Sequence, residues 1–182
     1  DHGNLRAFDH AIRHMPPQGA VIEVGSFLGA STNALAYLLA RYQRDNPLFS
    51  CDPWVFEGTE VPIGGYFDAG SEAFRQYAKD VFKMNVTLLS ASRQPQAIEA
   101  PSSEFFEWWD RGARVQDVFG RSAVLGGPIS FAYLDGAHTA EAVSAEFAAV
   151  DQHLLPGGFL LFDDSDDGGC FPAVTQVAQD VA

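Results

Sequence analysis

Carboxylates gather at two places in the second half of the chain. Asp135-Gly136-Ala137-His138 follows one apolar run, and Asp163-Asp164 follows another. Neighbouring strands of a parallel sheet lie about 4.8 Å apart, so residues at their ends converge. Three carboxylates in one place repel one another unless they are protonated or share a cation. Oxygen-only ligands favour Mg²⁺, Mn²⁺ or Ca²⁺ over zinc, and Mg²⁺ comes first because it takes few protein carboxylates and keeps exchangeable waters. Asp135, Asp163 and Asp164 are therefore candidate metal ligands; the plainer alternative has them capping loops and facing water. His138 is a candidate general base, since an imidazole accepts a proton near neutral pH. The alternative is a surface or helix-terminal histidine.

A second constellation lies near the start. Glu23-Val24-Gly25-Ser26-Phe27-Leu28-Gly29-Ala30-Ser31 reads as a strand turning into a helix. Glycines there let backbone approach a ligand, and the helix N-terminus offers free N–H groups to an anion. The spacing is G-x-x-x-G. It lacks the middle glycine of the dinucleotide fingerprint, which argues against an NAD(P) oxidoreductase. Asp52 follows the next apolar run, where an acidic group can accept both hydroxyls of a ribose.

The elements that position these residues alternate in period. Leu5, Phe8, Ile12 and Met15 recur at helical spacing until Pro16-Pro17. Val21–Val24, Leu48–Cys51, Val86–Leu89, Ile129–Leu134 and Phe159–Phe162 read as buried strands. Helical stripes fall between them: Leu35 to Tyr42, Phe74 to Phe82, and Val143 to Leu154 before Pro156-Gly157-Gly158, with a weak helix from Phe171. Continuous apolar strands alternating with helices predict a mostly parallel, doubly wound α/β sheet, Rossmann-like, with ligands at the carboxyl ends of its strands. Residues 90–128 show no clear strand. About 95–128 therefore reads as an insertion or lid, mobile or partner-dependent, whose Phe105-Phe106 and Trp108-Trp109 mark a helix; the alternative packs that helix on the core. The chain stops where a sixth strand is expected and does not begin with Met, which suggests truncation.

The bulk properties set limits. A chain of 182 residues argues for one domain, and 47% apolar content excludes disorder. Net charge is −13 with 11 Lys+Arg, so nucleic acid and anionic membranes are poor partners. No apolar run is long enough to span a bilayer and no signal segment opens the chain, so a cytoplasmic location is expected. A homo-oligomer is compatible. Cys51 and Cys170 belong to no metal-binding cluster.

Taken together, VIEVGSFLGASTNALAYLL, CDPWVFEG, VTLLSAS, LDGAH and LLPGGFLLFDD resemble class I S-adenosylmethionine (SAM) dependent methyltransferases, especially the macrocin and catechol O-methyltransferase-like branches, with likeness to the cephalosporin-hydroxylase-like group. The resemblance implies that Glu23, Gly25 and Ser31 hold the methionine end of SAM and Asp52 the ribose. It places Ser92 and Arg93 beside the adenine, Asp135 at the cofactor, and Asp135, Asp163 and Asp164 around a divalent cation, with His138 as base. The implied reaction is metal-assisted methylation of a hydroxyl on a sugar, catechol or other natural product. Two alternatives stand beside it: a non-catalytic binding or assembly domain of the same fold, and a hydroxylase-like enzyme, for which no His-His-carboxylate triad is visible.

Overall fold

The computed structural model describes residues 2–55, 72–165 and 171–181. Phe56-Glu57-Gly58 of the motif after Asp52, and Cys170, lie outside them. Five strands form one parallel sheet: β1 (Ala20–Val24), β2 (Leu48–Cys51), β3 (Gln96–Ile98), β6 (Ile129–Leu134) and β7 (Leu154–Phe162). Their spatial order is β3-β2-β1-β6-β7. A hairpin of β4 (Arg114–Gln116) and β5 (Ser122–Val124) stands apart. The helices are α1 (His2–His14), α2 (Ala30–Arg41), α3 (Glu72–Leu89), α4 (Ser102–Asp110), α5 (Ala140–Asp151) and α6 (Pro172–Val181). This is the expected doubly wound, Rossmann-like sheet. Its winding reverses between β1 and β6, and a crevice opens at such a switch point.

Both faces of the central strands are buried, which is why β1, β2 and β6 are apolar but for Glu23, Ser50 and Ser130. Ile22 and Val24 pack with Phe105, Phe106 and Trp109 of α4 and Val150 of α5. Val21, facing the other way, packs with Phe8 and Ile12 of α1 and Leu35 and Leu39 of α2. Glu23 shares Val21's face by the two-residue pleat. A charged group thus enters the α1–α2 side of the core, immediately below the switch point.

The elements expected from the sequence are corrected in three places. Val86–Leu89 is the last turn of α3 rather than a strand. Val86 extends the buried stripe of Phe74, Ala78 and Phe82 at four-residue steps, a helical period that outweighs its β-branched side chain. The third strand is instead the short Gln96–Ile98, whose polar neighbours hid it. Residues 95–128 hold β3, α4 and the hairpin, and Phe105, Phe106 and Trp109 are core residues, as in the packed alternative. Val118 N–H donates to the Ala97 carbonyl at 2.9 Å, tying the hairpin to the outer side of β3. Finally, Leu154 ends no helix and Pro156-Gly157-Gly158 breaks no element. Ile129 pairs with Leu154 and Phe131 with Phe159, so the residues between bulge out of β7.

Candidate active site at the strand ends

Gly25 begins the crevice. It has φ 83°, and a Cβ there would lie 1.9 Å from the Asp135 carbonyl oxygen. The glycine is required by the contact between the ends of β1 and β6, whatever ligand binds above. Gly29, φ 87°, caps α2 with no side-chain hydrogen bond, so the first N–H groups of that helix stay available. Leu28 is held by Asn85, whose amide donates to its carbonyl at 2.9 Å.

Asp52 follows β2 at the carboxyl end of the sheet, and its carboxylate is engaged within the turn. Its Oδ2 accepts from the backbone N–H of Ser26 and of Phe27, each at 2.8 Å, and Oδ1 accepts from Trp54 N–H at 2.6 Å. The indole of Trp54 donates to the Phe27 carbonyl at 2.8 Å. Phe27 and Trp54 both sit at positive φ, so this clamp holds two strained residues. Burial pushes the Asp52 carboxyl up, and the three N–H donors pull it back. The residue builds the turn first; a ribose would have to share Oδ1 with Trp54.

Glu23 is fully buried. Its Oε2 accepts from Thr32 Oγ1 at 2.6 Å, while Oε1 has no partner, and neither do the buried hydroxyls of Ser26 and Ser50. Burial pushes its carboxyl up to about 7, opposed by the nearby hydroxyls of Ser31 and Thr32. Ser31 therefore sits beside Glu23 and also lines the groove between α1 and α2.

Asp135 lies on the other side of the crevice. Burial, and then Asp163 beside it, push its carboxyl up to about 8. Tyr133 Oη donates to Asp135 Oδ2 at 3.0 Å. Asn4 of α1 donates its amide to Asp163 and, at 3.4 Å, to Tyr133 Oη.

Asp163 is thus drawn toward α1, and the metal set expected from the sequence divides. The groups that converge are Asp135, His138 and Asp164, with donor atoms within 4.8 Å of one another. His138 Nε2 lies 3.2 Å from Asp164 Oδ2, though not aligned for a hydrogen bond. The His138 ring stacks on Phe171 at 3.9 Å. Asp164 sits at φ 51°.

Ser92 and Arg93 are not brought to this site. They precede β3, at the amino end of the sheet, where Arg93 donates to the Asn46 carbonyl just before β2. The misread strand carried them there. The residues that do follow β3 are Glu99 to Ser102. Glu99 pairs with Arg75 at 2.9 Å and Lys79 at 3.0 Å, anchoring the start of α3 beside the crevice. Glu146 of α5 was also missed. It is buried beneath Gly136, where an added Cβ would lie 3.0 Å from its Oε1. A single acidic residue on an apolar helical stripe, at the position of a core residue, was the available signal.

A family model described as a methyltransferase domain matches residues 22–165. No curated protein sequence matches the chain. Among solved structures, an rRNA methylase from Streptococcus thermophilus superimposes with a TM-score of 0.55 at 13% identity, covering 96% of this chain and 76% of its own. A cofactor-bound protein from MTB gives 0.54 at 13% identity, covering 98% and 75%. These likenesses confirm the architecture.

Proposed function

The chain belongs to the methyltransferase-domain family, and from that premise we propose that it moves the methyl group of SAM to a hydroxyl of a small molecule. The observation that carries this reading is the set of unmatched groups around the Gly25–Ser31 turn. Glu23 Oε1 is buried without a donor, and the start of α2 has no side-chain cap. An amino acid brings both complements, an ammonium for Glu23 and a carboxylate for the N–H groups of α2. The turn's missing middle glycine suits a ligand without a pyrophosphate.

SAM, when bound, supplies a methyl group activated by its sulfonium. What remains for the protein is to hold an acceptor oxygen in line and remove its proton. Positioning of this kind is worth up to about 7–11 kcal/mol. His138 takes the proton at Nε2, and Asp164, 3.2 Å away, steadies the imidazolium that results. Stacking on Phe171 fixes the ring plane.

The convergence of Asp135, His138 and Asp164 also fits a divalent cation. With an ion there, those three residues would hold it and it would lower the pKa of the acceptor hydroxyl; the imidazole would then serve as a ligand in place of its role as base. One imidazole among two carboxylates widens the choice from Mg²⁺ to softer divalent ions, with Mn²⁺ still served by the carboxylates. The charge of −13 argues against RNA as acceptor.

The test is calorimetry with S-adenosylhomocysteine, NAD⁺, Mn²⁺ and an rRNA fragment. S-adenosylhomocysteine should bind and NAD⁺ and RNA should not; the opposite pattern overturns the reading. Mn²⁺ binding should be lost in Asp164→Asn and kept in Asp163→Asn. His138→Ala should keep S-adenosylhomocysteine affinity while turnover falls ~10²–10⁴-fold.

A further inference from the structure

A groove of about 570 Å³ runs outward from the strand ends between α1 and α2. Its inner end is polar, formed by Tyr133, Asp135 and Asp163. Its walls are mostly apolar, with Leu5 and Phe8 on α1 facing Ala30 and Ala34 on α2, and Ser31 adding one hydroxyl near the polar end. The two alanines lie one helical turn apart, and their methyl groups leave the width that a longer side chain would fill. Leu5 is 48% exposed, an apolar side chain facing open groove. Asn4 ties α1 to the floor through Asp163 and Tyr133, so the walls keep a fixed relation to the polar end.

That pattern distinguishes among hydroxylated acceptors. A sugar carries hydroxyls all round, and those laid against Leu5, Phe8 and the alanines would lose water without gaining a partner. An alkyl or aryl body in the same place removes apolar surface from water on both sides. The volume lies in the range of sites for small organic ligands. Building on the methyl-transfer reading above, we propose that the acceptor is amphiphilic. Its hydroxyl-bearing head lies at Tyr133, Asp135 and Asp163, and its apolar body lies between α1 and α2. Leu5 and Ala34 set the length and breadth of the body that fits.

The experiment is calorimetric titration, with and without S-adenosylhomocysteine, of vicinal alkanediols of increasing chain length and of methyl glucoside. Wild-type protein should bind the diols about threefold to fourfold more tightly per added methylene until the groove is filled. Leu5→Asp should flatten that dependence while keeping S-adenosylhomocysteine affinity, which also verifies its fold. Ala34→Leu should end the gain at a shorter chain. A flat series in the wild type, methyl glucoside binding more tightly than the diols, or an unchanged slope in Leu5→Asp would overturn the proposal. A chain-length dependence in protein that does not bind S-adenosylhomocysteine would support the groove and remove the cofactor reading instead.

Discussion

At Asp52 a negative charge is turned inward, onto the N–H groups of Ser26, Phe27 and Trp54. Asp52→Asn keeps the shape but presents a donor where an acceptor is needed. We expect it to cost about 1–3 kcal/mol of stability and to weaken S-adenosylhomocysteine binding through the loosened turn. Thermal melts and calorimetry on the variant measure both, and unchanged values would show the clamp to be dispensable. Glu146 makes a pH-dependent contribution. Burial pushes its carboxyl from 4.5 up to about 7, so the folded chain holds a proton that the unfolded chain releases. The stability tied to that proton is complete below pH 4.5 and is lost as pH rises through about 7. Each tenfold change in proton affinity is worth about 1.4 kcal/mol. Urea midpoints followed across this window should fall, and fall less steeply in Glu146→Gln. Parallel curves for the two proteins would mean that Glu146 does not carry the effect.

Among the elements, α4 departs furthest from its expected role. Trp109 is buried, lies edge-on to Phe49 of β2 with centroids 5.1 Å apart, and donates its indole N–H to the Gly127 carbonyl at 3.0 Å. Trp109→Ala should therefore cost about 3–5 kcal/mol. Amides of α4 should exchange with solvent as slowly as those of β1, and early exchange in the ligand-free protein would restore the lid. The sequence could not make this distinction, because an aromatic helical face looks the same whether it meets the core, a ligand or a partner. The strands β1, β2 and β6 were legible because they are covered on both sides, where burial dictates a nearly unbroken apolar run, and the carboxyl half of β7, Phe159–Phe162, was legible as well. β3 was not legible. It has three residues, begins with Gln96 and ends against Glu99, while the more apolar Val86–Leu89 nearby is helical because its partners recur every fourth position. That single exchange moved Ser92 and Arg93 to the wrong end of the sheet.

At the scale of the whole molecule, the carboxyl ends of β1, β2, β6 and β7 were each located to within the residues that matter. Glu23, Asp52, Asp135, His138 and Asp164 accordingly fall along one crevice. How they divide their work was not legible, since it depends on long-range hydrogen bonds. Asn4, 159 residues from Asp163, draws that carboxylate toward α1, and no local pattern reports a bond of that reach. The bond from Val118 to the Ala97 carbonyl has a different consequence. An outermost strand with bare amides and carbonyls is a template on which another chain can polymerise. Here that flank offers three residues and is already occupied by the hairpin, so misassembly by strand recruitment is disfavoured on the β3 flank. Among the described residues, the opposite flank along β7 pairs only with β6. Any extension of the sheet, whether by further chain or by another molecule, is directed to that side, away from the turn at Gly25.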